Sequence, residues 1–160
     1  MSNSQKIVGA FLLISFGFLQ ACNKSFVVKN VNYAQHIESV LTPDSNGVVE
    51  DVRYGLSYSI LPFQFEEFQD SSKVMISEVR MMRNSDGFYF ITADRFKNVY
   101  VMKPQKGELK LEKKILVSES GLASPVFNWR KPVVQLIDKV SAETYLLNEK
   151  GIYIIKEEQS

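Results

Sequence analysis

Cysteine, histidine and tryptophan each occur once in this 160-residue chain, and each scarcity removes a class of chemistry. The single Cys22 leaves no intrachain disulfide and no thiolate metal cluster. The single His36 rules out a His-rich metal site. A Ser-His-Asp triad would have to be built around it, and no nucleophile elbow occurs in the sequence. Glycine-rich phosphate loops of the Walker and dinucleotide types are missing too, and no cofactor is expected. Neither charge sign is in excess: the formal net charge is +1, which speaks against nucleic acid as a partner. Long apolar runs are absent after the first 20 or so residues.

What is present begins with MSNSQKIVGAFLLISFGFLQAC. A short polar start with one base, Lys6, precedes an apolar run from Ile7 to Leu19 and then Gln20-Ala21-Cys22. A basic start, a short apolar core and a small residue before a cut are the physical signature of a secretory signal. The run is too short for a permanent span, which needs about 20 apolar residues. Leu19-Gln20-Ala21-Cys22 resembles the lipobox of bacterial lipoproteins, with Leu at −3, a small residue at −1 and Cys at +1; Gln20 departs from the small residue common at −2. The resemblance implies that Cys22 is lipidated and that residues 1–21 are removed. It places the protein on the periplasmic side of a bacterial membrane, and Asn23 at +2 points to the outer membrane rather than the inner one. Each buried methylene contributes about 0.8 kcal/mol, so two or three chains anchor firmly where one does not.

Removing 21 residues from 160 leaves 139, the size of one domain, and loss of Lys6 leaves 18 bases against 18 acids. Residues 22–30 are expected to form a lipidated tether running into a first strand near residues 26–28. Residues 31–160 then form a single β-rich domain. Asn32 can cap a short N-terminal helix in which Ala34, Ile37, Val40 and Leu41 share a face, ended by Thr42-Pro43. Beyond Asn46-Gly47 the chain reads as strands: Val48 to Val52; Tyr54, Leu56, Tyr58 and Ile60; Val74 to Met82; residues 88–91; residues 98–102; Leu109, Leu111 and Ile115 alternating with Lys110, Glu112 and Lys114; residues 133–137; residues 144–147; and residues 152–155. Pro62 can open a short helix over residues 63–69, or the segment can be a strand. The pattern predicts a mainly β fold, an antiparallel meander arranged as a sandwich, a barrel or propeller-like blades. A shift of 44 places residues 88–114 on 132–158, aligning Asp94 with Asp138 and Lys106-Gly107 with Lys150-Gly151, a match no stronger than two hairpins give by chance.

Candidate sites follow from composition. Asp44-Ser45-Asn46-Gly47 with Glu50-Asp51 is oxygen-rich like a calcium loop, yet Asp, Asn and Gly are also what turns use. Glu66, Glu67 and Asp70 could supply the paired carboxylates of a hydrolase. Lys103, Lys106, Lys110, Lys113 and Lys114 are interleaved with Glu108 and Glu112, the pattern of a wet strand face. Phe127-Asn128-Trp129-Arg130-Lys131-Pro132 sets the lone Trp beside an Arg in an expected connection, and Trp and Arg often carry interface energy. Tyr89 and Tyr100 could extend that surface. The expectation is a non-enzymatic interaction module with no metal, contacting a protein partner through Trp129 and Arg130. The alternative is a small-ligand or glycan binder using the same aromatics, and a carboxylate hydrolase ranks third. The anchor itself is testable: palmitate labelling of cells should mark the wild-type protein and leave Cys22→Ala unlabelled and released by mild extraction. Equal labelling would remove the lipoprotein reading.

Overall fold

The computed structural model describes residues 37–153, which fall within the compact unit Asn32–Ser160. Cys22, His36 and the strand expected near residues 26–28 lie outside the described residues. Among the described residues the chain forms eleven strands and one helix. They are β1 (Ser39–Leu41), β2 (Val48–Asp51), β3 (Leu56–Ser59), α1 (Leu61–Phe68), β4 (Val79–Arg83), β5 (Tyr89–Ala93), β6 (Asn98–Gln105), β7 (Glu108–Leu116), β8 (Pro125–Arg130), β9 (Val133–Asp138), β10 (Thr144–Asn148) and β11 (Gly151–Ile152). The fold is mainly β and antiparallel. It is a sandwich-like meander, not a closed barrel: a five-stranded sheet in the order β1-β4-β5-β6-β7, a four-stranded sheet β11-β10-β9-β8, and the hairpin β2-β3.

Strand β5 explains the layering. All five of its residues, Tyr-Phe-Ile-Thr-Ala, are buried, so the strand has no face that can meet water. Alternate residues point to opposite faces. Tyr89, Ile91 and Ala93 join Tyr100, Met102, Val79 and Met81 in one core, covered by Val49 and Ile60, with Tyr58, Phe63 and Phe68 packed against it. Phe90 joins Val99, Val101, Met82 and Ile115 in a second core, covered by Phe127, Val134, Leu136 and Leu147 of the four-stranded sheet.

Strand β7 switches faces partway along. Its register against β6 shifts between Val101 and Met102, so Leu111 opposes Met102 whereas Lys113 opposes Val101. Glu112 is the extra residue of a β-bulge. Leu109 packs on the first core and Ile115 belongs to the second, so the alternation that reads as one face in the sequence is divided between two.

Two expectations are corrected. Over its described part the N-terminal helix expected from Asn32 to Leu41 is instead strand β1: Ser39 pairs with Met81, Val40 with Arg80 and Leu41 with Val79. Pairing to the edge of β4 overrides the 3–4 spacing of the apolar residues. The helix that does form is α1, with Pro62 in its first turn, where a missing N–H costs nothing. The second correction concerns residues 127–130, expected in a connection. They belong to β8, which pairs with β9 from Pro125↔Asp138 to Arg130↔Val133.

Polar anchors join the layers. Glu38 accepts hydrogen bonds from the Phe127 N–H at 2.6 Å and from Arg80 at 3.0 Å, linking the edges of both sheets. Burial pushes its carboxyl above the usual range, against the pull of these two donors. Gly121 sits at φ +90°, and a Cβ there would fall 2.7 Å from the Arg95 carbonyl oxygen. That close approach lets Leu122 bond both Arg95 and Phe96. Asp138 is buried, and its carboxylate accepts N–H groups of Ala123 at 2.9 Å, Ser124 at 3.0 Å and Val140 at 3.1 Å. Burial works to raise its pKa, but these backbone donors outweigh burial and hold it below the usual aspartate value. A depressed folded pKa stabilises the fold above the unfolded value of about 3.9, and this contribution is lost as pH falls through the folded value. Urea titration should therefore find Asp138→Asn less stable by about 1–3 kcal/mol near neutral pH. The gap should close as the pH is lowered below about 4; a gap independent of pH would contradict the assignment.

Candidate functional site

Helix α1 is held by its own polar side chains. Gln64 is fully buried. Its Nε2 donates to the carbonyls of Asp70 at 2.9 Å and Lys73 at 2.7 Å, and its Oε1 accepts the Met75 N–H at 2.8 Å. Glu67 fixes the helix to the sheet: its carboxylate accepts from the Lys97 N–H at 2.8 Å, Asn98 Nδ2 at 2.9 Å and the Tyr100 hydroxyl at 2.8 Å. An edge-to-face aromatic chain supports the same junction. Tyr58 meets Phe63 at 6.3 Å, Phe63 meets Tyr100 at 4.7 Å, Tyr100 meets Phe96 at 6.0 Å and Phe96 meets Phe68 at 5.8 Å.

Between the outward side of α1 and strands β6 and β7 lies a groove of about 610 Å³. Its lining includes Tyr58, Phe63, Phe65, Tyr100, Leu109 and Leu111, with Met102 among the floor residues. A second hollow of about 650 Å³ shares Tyr58 and Leu109 with it and runs past Pro104 and Lys106. The lips are apolar and open to water: Phe65 is 47% exposed and Leu111 50%. One ion pair crosses the opening, Lys114 Nζ to Glu66 at 3.0 Å.

The polar groups of this groove are already engaged. Burial first, and then the hydrogen bond and charge of Glu67, push the Tyr100 phenol far up, so it remains a donor to Glu67. Burial and the charge of Asp51 do the same to Tyr58. A groove of this kind offers apolar surface and shape, and both of its phenols stay protonated near neutral pH. Its volume falls in the range of small-molecule sites, about 300–1,000 Å³.

The residues singled out from the sequence are scattered. Tyr100 is buried in the groove floor, whereas Tyr89 is buried two strands from β7, edge-on to Tyr54 at 5.4 Å. Trp129 is partly buried on the opposite core, and Arg130, its neighbour on β8, is exposed. The three acids have separate partners: Glu66 binds Lys114, Glu67 binds the sheet and Asp70 accepts the Ser72 N–H. Asp44 closes its own turn, accepting the N–H groups of Asn46 and Val48. Phe63, Phe65, Leu109 and Leu111 were not singled out. The signal for Phe65 was a large apolar residue next to Glu66 on a helix whose buried side is filled by Phe63, Gln64 and Phe68.

Glu67 and Glu66 differ sharply in expected cost. Glu67→Ala leaves the Tyr100 hydroxyl and the Asn98 amide without an acceptor and should cost about 2–3 kcal/mol in denaturant titrations. Glu66→Ala removes only an exposed pair and should cost less than about 1 kcal/mol. Equal losses would show that Glu67 is not the clamp. Comparison with known proteins finds no matching family model, no matching curated protein and no matching solved structure.

Proposed function

We propose that this chain is a non-enzymatic binding module, held on the periplasmic side of a bacterial membrane by lipid on Cys22. It takes apolar side chains of a protein partner into the groove between α1 and β6–β7. The observation that carries this reading is the groove's chemistry: apolar walls, exposed apolar lips at Phe65 and Leu111, and polar groups engaged within the fold. Exposed large apolar residues beside a concavity mark surfaces that a partner covers. Anchoring then raises the local concentration of partners on the same membrane.

One feature favours a second reading, in which the occupant is a small apolar ligand: the site is concave and of ligand size. A glycan gains less support, because Trp129 packs toward the inter-sheet core.

The test places a photo-crosslinking amino acid at Phe65 in the full chain in membranes, with Arg130 as the control position. A discrete adduct from position 65, absent from position 130, supports the reading. Leu111→Asp should lower its yield about tenfold or more, since burying one such side chain contributes about 1.5–3 kcal/mol. Equal adducts at both positions, or insensitivity to Leu111→Asp, would overturn the groove as the contact. Recovery of a tightly held apolar small molecule in place of a protein adduct would establish the second reading.

A further inference from the structure

In a different corner of the molecule, a cation has no ion-pair partner among the described residues. Arg83 ends β4 and pairs across the sheet with Tyr89 at the start of β5. Its guanidinium carbon lies 5.7 Å from the centroid of the Tyr89 ring and 6.0 Å from that of Tyr54. The two rings meet edge-to-face at 5.4 Å and 82°. A second guanidinium, that of Arg53 in the loop joining β2 to β3, lies 5.9 Å from the same Tyr54 ring. The Gly87 backbone comes close to this cluster: a Cβ there would lie only 3.3 Å from Arg83 Nη2.

The electrostatics of the cluster are incomplete. Arg83 Nε is buried and has no hydrogen-bond partner, and the ion pairs among the described residues do not include Arg83. The carboxylate of this corner, Asp51, is already engaged: it accepts the Ser39 hydroxyl and, at 2.8 Å, the Arg53 N–H. Aromatic faces attract a cation and hold its plane, but they do not replace the lone pairs that a guanidinium fork is shaped to meet. Buried polar groups are almost always satisfied, and an exception calls for an explanation, of which a bound ion is one. The phenols are not that ion, since burial keeps both Tyr54 and Tyr89 protonated well above neutral pH.

We propose that Arg83, steadied between Tyr54 and Tyr89 and assisted by Arg53, is a binding site for an oxyanion, the carboxylate or phosphate group of a ligand. The guanidinium edge offers two parallel N–H donors matched to two oxygens of such a group. Arg53 adds a second positive charge, and its Nη1 remains tied to the Ile37 carbonyl at 2.9 Å. This site is independent of the groove beside α1.

The test is a nitrogen–proton NMR titration of the full chain in detergent solution, with sodium phosphate and sodium acetate as probes and sodium chloride at matched ionic strength as reference. The Arg83 Nε–H and Gly87 amide signals should shift saturably with at least one oxyanion and not with chloride. Response to phosphate alone or to both probes distinguishes a phosphoryl ligand from any carboxylate-like one, and either supports the site. Arg83→Met should abolish the saturable shift at Gly87. Arg83→Lys, which keeps the charge and loses the fork, should weaken binding about tenfold, and it decides the matter if Arg83→Met fails to fold. Shifts that follow ionic strength alone, or that persist unchanged in both variants, would overturn the proposal.

Discussion

Strands β5 and β6 impose the constraint on which the rest of the structure depends. Tyr89 to Ala93 and Val99 to Met102 are buried residue after residue, and a strand with no wet face must be covered on both sides. Each such side chain contributes about 1.5–3 kcal/mol when fully removed from water, so leaving either face open would cost more than the marginal stability of a domain allows. The chain meets this with two unlike covers. The four-stranded sheet lies across one face, and a hairpin with a single short helix lies across the other. The second cover is the smaller one, and the groove is the space it leaves over β6 and β7.

The bulge at Glu112 decides what that space contains. Without it, Leu109, Leu111 and Ile115 would share one face of β7. With it, Ile115 seals the inter-sheet core while Leu109 and Leu111 remain beside the helix, and Lys114 is turned to meet Glu66. One extra residue thus serves two layers with one strand. It also gives the groove a wall that is apolar yet only half covered.

Much of the β architecture was legible because hairpins announce themselves locally. Asp86-Gly87 and Lys106-Gly107 sit at turns, and the strands on either side lie close to where alternation put them. Strand β1 was not legible, since its fate depends on the edge of β4 some 40 residues away and a 3–4 apolar spacing is equally readable as a helix. Strand β8 was hidden by its flanking prolines and by Asn128, although Phe127 and Trp129 do alternate inward. Trp129 is expected as a contact because single tryptophans often are; its partly buried place on β8 follows from that alternation. The groove was least legible of all. It is made where α1 meets β7, and the face of β7 that lines it is set by a bulge that leaves no mark in composition.

The groove's size also bears on how such a module could work. Polar groups already engaged within the fold add little to binding, so affinity must come from apolar side chains, each contributing about 1.5–3 kcal/mol. Association of two free molecules costs about 4 kcal/mol or more before any contact counts. One or two side chains entering a 610 Å³ groove therefore give only a weak complex in free solution. Confinement to a membrane reduces that cost, because partners on a shared surface meet at high effective concentration. A shallow apolar groove and the lipid anchor proposed at Cys22 are in this sense complementary. On the proposed reading, the groove would supply selectivity at low affinity, and the anchor would turn low affinity into occupancy without locking the partner in place.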